Sequence, residues 1–263
     1  MDTQLINRMQ NLVNSRVDDD INKNIASYIL QNIYEIDKLT ISDLAANTYT
    51  STASISRFAR NIGCESFNDL KQRMSDDSNV VDAFKINLKD IDFDMVRPFK
   101  AYVDNVVNAL QNMEEKMNVE EIDELVKEIH ENENVYFLGH NFPGLLAQNA
   151  QRSLILAGKY VHSYDSAIMH MDVAKQCPKD SLIVVFSMNG QYLLQNREIG
   201  EVFRERHVRL ILVTQDNKPF FANYFHKIIT IGDQFDCNAG RYKLELFMEI
   251  MVNRYIDLYY GNK

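Results

Sequence analysis

Residues 40–73 contain two short stretches in which apolar positions recur at helical spacing, joined by residues that extend neither pattern. The first stretch covers 41–45 and the second 55–62, and each has the i, i+3, i+4 spacing of a helix with one apolar face. Ser51 is a suitable N-cap for the second helix, and Gly63 suits the left-handed residue that ends a helix. The pattern predicts two short helices joined by a tight connection, within an all-helical N-terminal region.

The second of these helices has a polar face suited to a DNA groove. Its short and hydroxylated side chains lie near the N-terminus, and its arginines lie farther along. Short side chains let a helix enter the major groove, hydroxyls reach phosphates or base edges, and arginines neutralise phosphates or read guanine. The alternatives are an ordinary helical hairpin with a solvated polar face and, for Arg57 or Arg60, an internal salt bridge. The predicted DNA contacts are Tyr49, Ser51, Thr52, Ser56, Arg57, Arg60 and Lys71.

The charge of the chain restricts how it meets DNA. The net charge is −9, and residues 1–78 hold eight Lys and Arg against eleven Asp and Glu. DNA binding must therefore depend on a focused basic patch, while acidic surface elsewhere repels DNA and orients the approach. Because each subunit makes few phosphate contacts, we expect a modest salt dependence per subunit and a dimer.

The cysteines, histidines and apolar runs exclude several classes of protein. Cys64, Cys177 and Cys237 are odd in number and widely spaced, which indicates reduced thiols. The six histidines lack metal-ligand spacing, and no nucleophile motif or carboxylate pair is evident. We therefore expect no catalytic residue, no metal site and no cofactor. No signal-like N-terminus or membrane-spanning run is present, so we expect a cytoplasmic protein without a membrane partner.

The second half of the chain alternates short apolar runs with segments of helical spacing. Near-continuous apolarity, as in the LIVVF run, is typical of strands buried on both faces. Alternation of such strands with helices predicts a parallel, doubly wound sheet. The predicted strands are Val135–Leu138, Tyr160–Ser163, Leu182–Phe186, Leu210–Val213 and Ile228–Ile231, and the predicted helices include Leu145–Ala157, Ala167–Cys177, Leu193–Arg206, Pro219–Phe225 and Tyr242–Tyr259.

Ligands of open parallel sheets bind beyond the carboxyl ends of the strands, where the winding reverses. The loops there combine glycine or short polar residues with the start of a helix, so backbone amides are available to an anion such as a phosphate. His140 and His170 come near this edge, and the alternative for each is a satisfied or solvent-facing side chain. The candidate ligand residues are Gly139, His140, Asn141, Ser187, Asn189, Gly190 and Gln191.

Both halves together resemble the RpiR/MurR family of bacterial transcription regulators. In the first half the resemblance lies in IASYIL (25–30), ISDLA (41–45), TASISRFARNIG (52–63) and FNDLK (67–71), and in the second in FLGHN (137–141), AQNAQRSLILAGKYV (147–161), DSLIVVFSMNG (180–190) and RLILVT (209–214). The resemblance implies a helix-turn-helix domain at 1–75, a linker at 76–97 and a SIS (sugar isomerase) domain at 98–263. The SIS domain is a three-layer α/β sandwich with a five-stranded parallel sheet.

The same resemblance implies what the chain binds. It implies an operator in double-stranded DNA, a phosphosugar effector at the SIS domain, and a homodimer or homotetramer. The alternatives are a SIS-type sugar-phosphate isomerase and a regulator whose SIS domain is a ligand-free dimerisation scaffold.

Several residues depart from the family pattern. Pro143 stands in place of a serine, and Asn141 stands in place of a glycine of the first loop. In the Ser-x-Ser-Gly-x-Thr/Ser loop only Ser187 and Gly190 match, while Asn189 keeps an amide donor and Tyr192 a hydroxyl at longer reach. These departures leave open whether the phosphosugar response is retained, altered or lost. In the first half, Tyr49 occupies a turn position that favours positive φ, usually glycine.

Overall fold

A computed structural model describes residues 3–14, 20–75, 99–164, 167–232 and 239–260. The chain forms two compact units, residues 1–86 and 87–263. The division falls within the linker predicted at 76–97, which lies outside the described residues.

The N-terminal unit is helical throughout its described residues. Its helices are α1 (Thr3–Asn14), α2 (Asp20–Gln31), α3 (Ile41–Asn47), α4 (Thr52–Asn61) and α5 (Phe67–Ser75), with a single 3₁₀ turn at Ile36–Lys38. Thr40 and Asp43 form a capping box at the start of α3. The hydroxyl of Ser51 accepts from the backbone N–H of Ser54 at 3.1 Å, so the predicted N-cap of α4 is confirmed.

One apolar core holds the five helices together. The apolar faces of α3 and α4 predicted from spacing are buried in it, and α1, α2 and α5 contribute the rest. Arg8 on α1 also donates to the carbonyl oxygen of Ile62, just after α4, at 2.6 Å. The fully buried apolar side chains are Leu5, Met9, Ile25, Ala26, Ile29, Leu44, Ile55, Phe58, Ala59, Leu70 and Met74.

The helices α3 and α4 end in the same way, although their left-handed residues differ. After α4 the left-handed residue is Gly63, with φ 88°, and its N–H donates to the carbonyl of Arg60. After α3 it is Tyr49, with φ 54°, and its N–H donates to the carbonyl of Ala46. Both turns are Schellman motifs, in which a side chain with a Cβ is strained. The positive φ predicted for Tyr49 is therefore confirmed, and its side chain is 98% exposed.

We expect Tyr49→Gly to raise the free energy of unfolding of the helical unit by about 1 kcal/mol, because glycine removes the left-handed strain and no buried contact is lost. Thermal and urea unfolding of the full chain, followed by circular dichroism, measure this change. Tyr34→Gly is the matched control. Tyr34 is also a tyrosine in a turn and is 74% exposed, but its φ is not positive. Equal effects of the two substitutions would contradict the assignment of strain to Tyr49.

The second unit is built on a five-stranded parallel sheet. Its strands are β1 (Val135–Gly139), β2 (His162–Tyr164), β3 (Leu182–Phe186), β4 (Arg209–Thr214) and β5 (Lys227–Thr230), in the order β2-β1-β3-β4-β5. Its helices are α6 (Lys100–Lys116), α7 (Val119–Glu131), α8 (Phe142–Leu156), α9 (Ala167–Gln176), α10 (Tyr192–Gln195), α11 (Arg197–Arg206) and α12 (Gly240–Tyr259). The predicted doubly wound fold is confirmed.

Burial explains the sheet order. Every residue of β1 and β3 is buried, and β4 is buried except at Arg209. The outer strands β2 and β5 are only half-buried. Residues from α7, α8 and α12 cover one face of the sheet, and residues from α9, α10 and α11 cover the other. The winding reverses between β1 and β3, which places the predicted ligand loops at the carboxyl edge there.

Several predicted boundaries in this unit were wrong. The helix predicted at Leu193–Arg206 is broken at Asn196, which has φ −136° and ψ 47°. Pro219–Phe225 holds only a 3₁₀ turn at Ala222–Tyr224, because Phe221 before it takes a left-handed conformation. The strand predicted at Tyr160–Ser163 begins at His162, where pairing with Tyr136 of β1 starts.

None of the helices in the described ranges has the length and apolarity needed to cross a membrane.

Candidate functional site

The exposed face of α4 carries the predicted DNA contacts. Thr52, Arg57 and Arg60 are exposed, and Ser56 donates to the carbonyl of Thr52 at 3.1 Å. A guanidinium nitrogen of Arg57 lies 3.4 Å from the hydroxyl of Ser54. Within the described ranges no carboxylate forms an ion pair with Arg57 or Arg60. Both positive charges therefore face outward, and the alternative of an internal salt bridge is not found there.

Lys71 on α5 differs from these two arginines because it is held within its own unit. Its ammonium donates to the carbonyl of Leu39 at 2.8 Å and lies 5.9 Å from the centre of the Phe67 ring. Lys71, Arg60 and Ser56 line one cleft between α3, α4 and α5. The structure thus places Lys71 beside the polar face of α4, with one of its three N–H donors already used.

The loops after β1 and β3 leave the sheet side by side. Gly139, the last residue of β1, pairs with Phe186, the last residue of β3. In the β3 loop Ser187 is half-buried, and Asn189 and Gln191 are exposed. Gly190 is buried at φ 63°, where a Cβ would lie 2.5 Å from the Cβ of Pro219. A side chain at this position would collide, so the close turn requires glycine.

Asn141 has a backbone conformation that glycine adopts most easily. Its φ is 56° and its ψ is −124°, the values of the first central residue of a type II′ turn. It directly precedes α8, and its carbonyl accepts from the N–H of Leu145. Asparagine tolerates positive φ better than most residues, so the turn before α8 is kept although the glycine is absent.

Tyr192 does not offer its hydroxyl to the carboxyl edge, contrary to the expectation of a donor with longer reach. Its side chain is buried, and the hydroxyl lies 3.0 Å from Nδ1 of His170. Nε2 of His170 lies 2.7 Å from the carbonyl of Tyr164. His140 stacks near the Tyr192 ring, and its Nε2 lies 2.9 Å from the amide nitrogen of Asn196. His170 is thus a satisfied buried histidine, one of the two roles expected for it.

Three buried polar residues near the strand ends were not among the predicted ligand residues. Gln215 follows β4, and its backbone N–H donates to the carbonyl of Met188 in the β3 loop. Its side chain packs against Gly240 at the start of α12, and Lys243, one turn further on, is fully buried. The position of Lys243 next to the apolar face of this helix was the sequence signal that could have indicated its burial. Asn196 is the third, and only the break in the helix reveals it.

The described residues form no metal site, and two of the three cysteines are buried. Among the described residues no group of three or more His, Cys, Asp or Glu side chains could hold a metal ion. Cys64 and Cys177 are buried free thiols, while Cys237 lies outside the described residues. Burial raises the pKa of the Cys177 thiol, which makes that cysteine unreactive near neutral pH.

Burial also governs the titration of His170. Burial and, to a lesser extent, the neighbouring His140 lower the pKa of His170 to about 3, and the hydrogen bond to the Tyr164 carbonyl opposes them. In the unfolded chain a histidine takes up a proton near pH 6.5. Unfolding therefore takes up a proton below that pH, and the fold loses stability as the pH falls from 6.5 towards 3.

We expect this one group to lower the free energy of unfolding of the α/β unit by about 2 kcal/mol between pH 7 and pH 5. Urea unfolding of the full chain at both pH values measures the difference, which His170→Gln should remove. His207→Asn is the control, because His207 is exposed and lies at a left-handed position that asparagine tolerates. An unchanged pH dependence in His170→Gln would contradict a neutral buried His170.

The geometry defines a class of protein. It has a helix-turn-helix domain and a doubly wound α/β domain, whose tight loops lie together at the carboxyl edge of the sheet. Residues 3–79 match the family described as "Helix-turn-helix domain, rpiR family". An uncharacterised HTH-type transcriptional regulator, YbbH of Bacillus subtilis, is 23% identical over 73% of this chain and 68% of its own length. The family match covers the helical unit, and the likeness to YbbH extends into the α/β unit.

Two further comparisons extend over both halves. The bifunctional protein glk of Burkholderia thailandensis is 23% identical over 68% of this chain, which spans only 28% of that relative. A solved structure of the Vibrio vulnificus NanR protein complexed with ManNAc-6P has a TM-score of 0.53 at 18% identity. The match covers 97% of this chain and 92% of that one. At this identity the likeness shows the fold.

Proposed function

We propose that the chain binds operator DNA through α4 and that a phosphosugar at the carboxyl edge of the α/β unit regulates this binding. The observation that carries the proposal is the exposed pair Arg57 and Arg60, which face outward from a helix of the rpiR-type helix-turn-helix. The chain is interpreted as a sensor without enzymatic turnover.

The DNA-binding part follows from the shape and charge of α4. Phe58 and Ile55 anchor one side of the helix in the core, so the opposite side is presented rigidly. Thr52 lies at the N-terminal end, which enters the major groove in helix-turn-helix proteins. With a chain charge of −9, these few cations are the groups that face a phosphate backbone. A palindromic operator bound by a homodimer would double their number; a homotetramer is the alternative assembly.

The ligand part follows from the carboxyl edge. Ser187, Gly190 and Asn141 lie in tight loops at the carboxyl ends of β1 and β3. The N–H groups of Ser187 and Gly190 donate within the fold, so the remaining backbone N–H groups of these loops are the proposed anion donors. Lys243 is a fully buried lysine on α12, whose first residues pack against Gln215 at this edge. The solved NanR structure of the same fold is described as a complex with ManNAc-6P. A phosphosugar is therefore the proposed effector, with Asn189 and Gln191 as exposed amide donors.

Ligand and DNA must be thermodynamically coupled for regulation. A ligand shifts DNA affinity only if it binds more tightly to one arrangement of the protein than to another. The scaffold alternative has no such difference, since it has no ligand. Binding experiments with DNA and with sugar phosphates therefore test the two halves of the proposal separately.

We expect Arg57→Ala with Arg60→Ala to reduce affinity for DNA from the region upstream of its own gene by at least about 100-fold, through lost phosphate or guanine contacts. Gel shifts and fluorescence anisotropy at several salt concentrations measure the affinity and the salt slope. The control is Lys127→Ala with Arg197→Ala, which removes two exposed positive charges from the α/β unit. Equal losses in both double variants would show a general charge effect and contradict a specific role for α4.

We expect Ser187→Ala to weaken binding of N-acetylmannosamine 6-phosphate, or of whichever hexose phosphate in a panel binds most tightly, by about tenfold. Titration calorimetry and ligand-induced thermal stabilisation of the full chain measure the effect. Ser153→Ala is the control, because its hydroxyl donates to the carbonyl of Asn149 in its own helix, away from the strand ends. Absence of heat and of stabilisation with every sugar phosphate would favour the scaffold alternative.

A further inference from the structure

A connected set of hydrogen bonds runs inward from the carboxyl edge through four polar side chains. It begins at His140, directly after β1, and passes through Asn196 to the backbone of Tyr192. The Tyr192 hydroxyl is hydrogen-bonded to Nδ1 of His170, and Nε2 of His170 is hydrogen-bonded to the carbonyl of Tyr164. His140 and His170 lie 4.7 Å apart between ring centres, so the set is compact.

Two backbone carbonyls in this set can only accept hydrogen bonds, and they determine which side-chain nitrogens carry hydrogens. The amide nitrogen of Asn196 lies 2.7 Å from the carbonyl oxygen of Tyr192, so it must be the NH₂ group that points there. The same NH₂ group lies 2.9 Å from Nε2 of His140 and donates its second hydrogen to it. Nε2 therefore carries no proton, and the proton of a neutral His140 is on Nδ1.

The same reasoning fixes His170. Because the Tyr164 carbonyl can only accept, Nε2 of His170 carries the proton, and Nδ1 accepts from the Tyr192 hydroxyl. Both nitrogens of this fully buried ring are thus used. His170 has no nitrogen left for a ligand, while it holds the Tyr192 ring on which His140 stacks at 5.1 Å and 19°.

We propose that Asn196 is a positioning residue of the ligand edge: it holds His140 as a neutral imidazole, protonated on Nδ1, so that the edge binds without proton transfer. The proposal rests on the proposed function, because it assumes that a ligand binds beside His140. Isomerisation of a sugar needs a group that takes up a proton from carbon. Nε2 of His140 is occupied by a donor and both nitrogens of His170 are bonded, so neither ring is such a base.

The test uses full-length protein labelled with ¹⁵N in histidine. Long-range proton–nitrogen NMR distinguishes protonated from unprotonated ring nitrogens, and His140→Gln identifies the His140 signals. In the wild type we expect a protonated Nδ1 and an unprotonated Nε2. In Asn196→Ala we expect signals averaged between the two tautomers. Asn132→Ala is the matched control, because Asn132 makes the same bond to a carbonyl four residues earlier but contacts no imidazole nitrogen in the described ranges. It should leave the His140 signals unchanged.

A protonated Nε2 in wild-type His140, or His140 signals unaffected by Asn196→Ala, would overturn the proposal; the wild-type spectrum decides the first point without any variant. Calorimetry with N-acetylmannosamine 6-phosphate tests the positioning role, and we expect about tenfold weaker binding in Asn196→Ala. Unchanged affinity despite an altered tautomer would refute that role. If the expected tautomer is found but no sugar phosphate binds the wild type, the proposed ligand class fails and the hydrogen assignment of His140 stands.

Discussion

The pairing of β1 with β3 is the interaction on which the α/β unit depends. These two strands pair over five residues and are buried on both faces, so they form the centre of the sheet. Reversal of the winding between them opens a crevice at their carboxyl ends, and Gly139 allows α8 to begin there, since a Cβ would lie 2.9 Å from the backbone of Pro143. The position of the ligand edge is thus a consequence of core burial.

Sequence reasoning succeeded wherever one local rule decided the structure. Continuous β-branched runs located β3 to the residue, and the serine and glycine around α4 gave its cap and its left-handed end. It failed where a long-range contact overrode a local preference. The helix breaks at Asn196, whose side-chain amide is hydrogen-bonded to the carbonyl of Tyr192 and to His140. His140 lies 56 residues earlier in the sequence. Burial of Lys243 and the inward hydroxyl of Tyr192 likewise depend on neighbours that no spacing reveals.

Positive φ at residues other than glycine is shared by both functional regions. Tyr49 precedes α4 and Asn141 precedes α8, each at a position where glycine would be unstrained. Strain kept at such sites is usual where function needs a particular side chain or a particular turn. Tyr49 is almost wholly exposed and contributes nothing to the core. Burial of its side chain therefore does not offset the left-handed strain at Tyr49.

The bond from Arg8 to the carbonyl of Ile62 links the first helix to the exit of α4. A guanidinium at this end also opposes the partial negative charge of the helix dipole. Since α4 is held at its far end by a residue that sequence places 54 positions away, its tilt depends on where α1 lies. Under the proposed function, mutations in α1 that touch no base pair alter operator preference, and a genetic screen confined to the exposed residues of α4 would overlook them.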